Sequence, residues 1–209
     1  MLKKHNREMI KIMEQEINYD KCYLRMLETD DVIDAYVSWL NDPFIYKYLE
    51  IRHVLPIKKS DVIDFVKNTY KIKRPHWGIF YEGSHIGNIS CSWYDLKCKR
   101  IDISFLIGER RFLGRGICTH AVYSVLDYLF NEQNFKSVQG GAHSGNIASI
   151  KVFEKLNFNV KSSRKNTTVI ENEYQNSLKY EITKKKFNVL DYNHVKFKVF
   201  PLKWKFFDE

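Results

Sequence analysis

The segment Arg111-Phe112-Leu113-Gly114-Arg115-Gly116 carries the residue types that hold phosphate. Two glycines, two positions apart, give the backbone the left-handed conformations in which successive N–H groups converge on one point. Apolar residues recur at helical spacing from Ile117 onward, so the turn sits at the start of a helix, where the dipole adds positive potential. Arg111 and Arg115 bring guanidinium groups that match phosphate oxygens. A strand, a Gly-x-Gly turn and a helix recur in many unrelated proteins, so the neighbouring residues have to narrow the reading.

Titratable and polar groups flank this turn. Asp102 lies on the preceding strand, where alternation fixes only its face; it is either a base reached through water or a carboxylate paired with Lys99 or Arg100. His143 titrates near neutral pH and either takes a proton or stands in solvent. Ser144 offers a hydroxyl beside it. Cys118 falls in the first helical turn, where a thiol pKa drops, yet packing against the loop is the simpler role. Glu109 serves to order Arg110 or Arg111, and His120 reads as a helix-surface residue. The four cysteines form no C-x-x-C pair and the seven histidines lack ligand spacing, so no metal is expected.

The elements that position these groups follow from hydrophobic periodicity. Met9, Ile10, Met13 and Ile17 share one face of an N-terminal helix. Cys22–Leu27 alternates as a strand. Thr29 and Asp30 cap a helix running to Leu40, and Pro43 opens a short one. Ser60 caps the next. From His76 the period becomes two: Trp77–Tyr81 and His85–Trp93 flank a hairpin turn at Glu82-Gly83-Ser84, and Ile101–Ile107 is the next strand. A long helix buries Ala121, Val125 and Leu129, with Val122, Leu126 and Phe130 beside them. Ser137–Ala142 reads as a strand, Asn146–Leu156 as a helix, and strands lie near Asn159–Lys161 and Tyr174–Thr183. The order predicts a mixed α/β three-layer domain with a mainly antiparallel central sheet.

With 209 residues, 44% hydrophobic and 15% aromatic, the chain has material for one domain with appendages. No run approaches a bilayer span, and Met1–Glu16 lacks an apolar signal region, so a cytoplasmic protein is expected. The net charge of +9 admits an acidic partner, but the lysines are spread along the whole chain. The tail from Lys184 interleaves basic and apolar residues, as in Val195–Phe200 and Leu202–Phe206. Such a pattern can bind nucleic acid or an anionic membrane. An amphipathic cover on the sheet, or a homodimer interface, is preferred, because a long exposed apolar edge invites aggregation.

Ile101–Glu109 leading into Arg111-x-x-Gly114-x-Gly116, followed by Asn146-x-x-Ser149-x-x-x-Phe153-Glu154-Lys155-Leu156-Asn157-Phe158, resembles the two linked signatures of the GNAT superfamily of acetyl-CoA-dependent N-acetyltransferases. Leu24–Leu27 with Asp30 and Trp39–Pro43 looks like its ribosomal-protein and amino-sugar acetyltransferase branch. The resemblance covers about residues 23–183. It implies acetyl-CoA as co-substrate, with the pyrophosphate on the turn from Arg111 through Phe112, Leu113, Gly114, Arg115 and Gly116 to Ile117. The pantetheine arm would pair with Phe105, Leu106 and Ile107, one of whose N–H groups faces the oxyanion. Asn146, Ser149 and Phe153 would line the cofactor.

Asp102 matches a frequently acidic position of the family. Phe153 stands where the family often places a tyrosine acid and cannot donate a proton, which leaves His143 or Ser144 as donor, or none. Deprotonating an alkylammonium costs roughly 4–5 kcal/mol at pH 7, whereas expelling a thiolate of pKa about 8.5 costs only ~2 kcal/mol, so a base matters more than an acid. Trp39, Arg52, His53, Trp77 and Trp93 are candidates for the acceptor pocket, and aromatic walls with an arginine suit a sugar nucleotide. The expected organisation is an extension over 1–18, the catalytic domain over 19–183, and the basic aromatic tail over 184–209. The expected reaction is direct acetyl transfer to a small primary amine, an amino-sugar nucleotide leading. N-terminal acetylation of a ribosomal protein and a non-catalytic acetyl-CoA-binding module are the alternatives.

Overall fold

The computed structural model describes residues 17–190 and 195–207. The helix read over Met1–Ile17 lies almost wholly outside them. Among the described residues eight strands form one sheet: β1 (Cys22–Met26), β2 (His76–Tyr81), β3 (Ser84–Asp95), β4 (Arg100–Ile107), β5 (Ser137–His143), β6 (Asn159–Ile170), β7 (Glu173–Thr183) and β8 (Lys198–Val199), in the order β6-β7-β5-β4-β3-β2-β1-β8. The pairs β4–β5 and β1–β8 are parallel and the others antiparallel. The mixed α/β class and mainly antiparallel sheet are as expected. No helix among the described residues is long and apolar enough to cross a membrane.

Alternation sorts the strands into two unlike faces. Trp77, Ile79, Ile89, Ile101 and Ile103 join the main core with the helix Ile117–Asp127 and the π-turn Tyr128–Glu132 that continues it. The predicted stripe of that helix is wholly buried. The opposite face meets α1 (Asp34–Leu40) and α3 (Lys59–Lys71) in a smaller core of Leu27, Val32, Tyr36, Trp39, Leu40, Val62, Val66 and Phe80. Between these lies α2 (Pro43–Tyr46), capped by Asp42, whose carboxylate accepts from Phe44 N–H at 3.0 Å. The long helix is α4, α5 spans Ile147–Lys155, and α6 spans Lys184–Phe187.

Three local expectations are corrected. Thr29–Asp31 is a separate 3₁₀ turn, because Asp31 forms a bidentate pair with Arg25 and accepts from Glu28 N–H, ending that turn before α1 begins. The cap of α3 comes from Asp61, which accepts from Lys58 N–H at 2.9 Å, so Ser60 lies inside the helix. β6 runs nine residues beyond Lys161, to Ile170. Residues 159–167 are all exposed, on both faces, so no apolar alternation marks them, and Glu171 and Asn172, both at positive φ, make the hairpin turn into β7.

The tail packs on the domain. Phe197, Leu202 and Phe206 are buried in the main core, and β8 lies beside β1 with Phe200 N–H donating to Leu24 O at 2.8 Å. Burying side chains of this size contributes about 1.5–3 kcal/mol each.

Candidate functional site

The turn after β4 is built by backbone. Arg110 leaves the sheet paired to Asp42 at 2.7 Å, and Phe112 plugs into the core against Tyr81. Gly114 and Gly116 adopt φ of 72° and 77°, and Gly116 is the N-cap of α4. Ile117 is fully buried and anchors the first turn. Open space lies over Gly114, where a Cβ would meet no atom within 4 Å. Leu113 is exposed, and Arg111 stands at the rim over the Phe112 ring, 3.9 Å from Glu109. Cys118 is not an activated thiol: burial pushes its pKa up to about 12 despite the helix dipole.

The sheet opens beside this turn. β4 and β5 pair only from Arg100 with Ser137 to Asp102 with Gln139, and then diverge. Phe105, Leu106 and Ile107 keep β3 on one side and have no β5 partner on the other, so that strand edge is available to a ligand. A cavity of about 610 Å³ opens at the divergence. Its lining includes Ile103–Leu106 of β4, Gly141–His143 of β5, and Asn146 and Ser149 at the start of α5. Asn146 also caps that helix by accepting from Ser149 N–H at 3.2 Å.

The cavity floor is the polar face of the sheet. Asn88, Ser90 and Ser92 alternate along β3, and Ser104 faces Ser90 across β4. Beside Ser90, on β2, the buried His76 also lines the cavity, with Nδ1 bonded to Ser90 Oγ and Nε2 3.1 Å from the Tyr36 hydroxyl. Burial lowers the His76 pKa to about 3, so the ring is neutral. His85 Nε2–H donates to Gly87 O at 3.0 Å and Asn88 Oδ1 at 2.8 Å. These groups escaped the sequence reading. The serines alternating with apolar residues on β3 were the available signal.

The expected catalytic residues fare differently. His143 lines the cavity, 3.9 Å from Glu50, and its Nδ1 is buried without a hydrogen bond among the described residues. Burial, then the Arg52 charge, holds its pKa below the ordinary histidine value, with Glu50 opposing. Asp102 lines the floor but is ion-paired to Lys179 of β7, a partner other than the expected Lys99 or Arg100. Ser144 is turned to β7: its hydroxyl donates to Gln175 Oε1 at 3.1 Å and accepts from Asn176 N–H at 3.0 Å, and it does not line the cavity.

The aromatic candidates are mostly packing. Phe153 is buried, stacked 4.5 Å from Tyr180 and against Phe105, so it backs the splay and does not line it. Trp39 packs on Tyr36 and His85, and Trp77 is wholly buried. Trp93 lies under the Arg100 and Lys179 cations. Arg52 donates to Leu49 O at 2.9 Å and to Thr168 Oγ1 at 3.4 Å, behind Glu50 at the mouth. Pocket walls come instead from Tyr48, Ile51, Ile57 and Phe65.

Residues 21–159 match the family described as Acetyltransferase (GNAT) domain. Uncharacterized protein MJ1062 of Methanocaldococcus jannaschii is 29% identical over 148 residues, which are 68% of this chain and 29% of that protein, so the chain spans under a third of that relative. Uncharacterized N-acetyltransferase p20 of Bacillus licheniformis is 23% identical over 66% of this chain and 79% of its own length. The spermidine N-acetyltransferase from Vibrio cholerae, in complex with CoA and spermine, shares the fold, with a TM-score of 0.71 at 16% identity, over 80% of this chain and 98% of that one.

Proposed function

The chain belongs to the GNAT family of acetyl-CoA-dependent N-acetyltransferases, and from that premise we propose that its acceptor is a small primary amine on a polyhydroxylated scaffold, an amino sugar, carried on a nucleotide. The observation that supports this acceptor is the floor. Ser90, Ser92, Ser104 and Asn88 present hydroxyls and an amide in one patch, as a molecule rich in hydroxyl groups requires. The described cavity-lining residues include the carboxylates Glu50, Asp61 and Asp102 and no lysine or arginine, so on this reading an attached diphosphate lies outside the cavity.

The residues fit acetyl-CoA as co-substrate. The Gly114–Ile117 amides at the start of α4 would hold its pyrophosphate, and the unpaired edge of Phe105–Ile107 would bond its amide-bearing arm. When bound, it supplies an acetyl thioester for attack by the amine. His143 is the base of this reading: a depressed pKa keeps the ring neutral at pH 7, with a nitrogen lone pair ready for the amine proton, directly or through water. Asp102, ion-paired to Lys179, places an oxygen acceptor on the floor where an amine N–H could be oriented. Phe153 supplies no acid, and a thiolate leaving unprotonated at a cost of ~2 kcal/mol makes one dispensable.

An acceptor screen with amino sugars, their nucleotide conjugates, spermidine and short peptides tests this. Acetylation of a sugar amine is expected. Turnover confined to spermidine or to peptide N-termini would overturn the acceptor assignment, and CoA binding with no turnover on any amine would overturn the catalytic one. We further propose the extents 19–183 for the catalytic domain and 184–209 for the tail that packs on it, after an extension over 1–18.

A further inference from the structure

We propose that Tyr19, which lies outside the segment matched to the family, positions the phosphate-facing turn, and that the tail holds Tyr19 in place. This rests on Gly114–Gly116 being the cofactor turn. The Tyr19 hydroxyl donates to Arg115 O at 2.8 Å. A trans peptide is planar, with its C=O and N–H pointing opposite ways. Fixing the Arg115 carbonyl toward Tyr19 therefore fixes the Gly116 N–H away from it, on the side where the nest gathers its donors. Gly116 lies against the same hydroxyl: a Cβ there would come within 3.1 Å of it.

Tyr19 is itself held from two directions. Asn18 caps its 3₁₀ turn by accepting from Asp20 N–H at 3.0 Å, one turn before β1 starts. Its ring meets the His120 ring edge-on at 4.6 Å and lies 6.1 Å from Phe197 of the tail. His120, Ser124 and Tyr128 fall one turn apart along α4 and its continuation, and each accepts a backbone N–H from the tail. Val195 donates to His120 Nδ1 at 3.2 Å, Phe197 to Ser124 Oγ at 2.8 Å, and Leu202 to the Tyr128 hydroxyl at 2.9 Å. Segments from both ends of the chain thus converge on the helix whose first turn faces the cofactor.

Tyr19→Phe keeps the ring contacts and removes only the hydroxyl. The expected result is a calorimetric Kd for CoA raised on the order of fivefold, the effect of one lost hydrogen bond, with turnover at saturating acetyl-CoA unchanged. Ser124→Ala, which frees the tail at Phe197 and leaves the Tyr19 hydroxyl in the chain, should lower Tm and weaken CoA by less than Tyr19→Phe does. Unaltered CoA affinity in Tyr19→Phe, equal weakening by both variants, or a loss of saturated turnover in Tyr19→Phe would overturn the proposal. Gly116→Val separates the layers. If it weakens CoA and Tyr19→Phe does not, only the brace fails; if neither weakens CoA, the cofactor turn itself is misassigned.

Discussion

The two halves of the site are built from different materials. The side proposed for the cofactor is main chain: a turn with two positive-φ glycines, a helix start and an unpaired strand edge. The acceptor side is side chain: hydroxyls, an amide and imidazoles on the face of β2 and β3, closed over by residues of α1, α3 and the loop between them. Backbone recognition suits a ligand that stays the same, since it survives substitution of most side chains. Side-chain recognition can be rewritten at single positions, so the acceptor half is where members of one family can diverge.

Variants that damage one half and spare the other test that division. The largest effect is expected from His143→Ala, which should lower kcat by about 10²–10⁴-fold, typical for loss of a general base, with CoA affinity retained. With His143 as the proposed base the neutral ring would be the active form, so wild-type kcat/KM should climb with pH through a midpoint below 6.5 and then level off, and the variant should lose that limb. The double change of Gly114 and Gly116 to Val forces β-branched residues into left-handed backbone and should weaken CoA about 100-fold by calorimetry, with the fold checked by thermal melting.

A third prediction concerns the floor and its stability. Folded His76 takes a proton only near pH 3, whereas the unfolded chain takes it near 6.5. Between those values the unfolded state holds the extra proton, so stability is full above about pH 6.5 and falls as acid is added. From pH 7 to pH 5 the loss from this group is about 2 kcal/mol, which urea titration at the two pH values would reveal. His76→Asn should flatten that dependence. The smallest effect belongs to Ser90→Ala, expected to raise the acceptor KM on the order of fivefold with the CoA Kd unchanged. A change in CoA affinity instead would erase the distinction between the halves.

The same division explains what could be read from the sequence. Gly114 and Gly116 announce themselves because few residues tolerate φ near 70°, and the stripe of Ala121, Val125 and Leu129 fixes where the helix after them runs. His143 and Asn146 were legible from their place after a strand. The floor was not. Ser90 and Asn88 count as ordinary polar residues of a half-buried strand until β2 brings His76 beside one of them. Trp39, Trp77 and Trp93 failed as pocket walls for the converse reason: periodicity marks a large aromatic as inward-facing, but inward includes both core and cavity. Phe153 was placed on the cofactor, and Gly140 shows why it sits deeper: a Cβ at Gly140 would come within 2.7 Å of the Phe153 ring.

The two margins of the sheet have unequal capacity for growth. Beyond β1 the last strand offers two residues, followed by Phe200 and Pro201. At the other margin β6 runs for twelve residues, ten of them exposed, with Lys161, Arg164 and Lys165 among those. Strand-on-strand accretion would have to join two β6 margins, bringing like charges together, and the resulting pair would present only its blunt margins outward. A pair joined in that way would leave no long strand margin among the described residues on which the sheet could grow further.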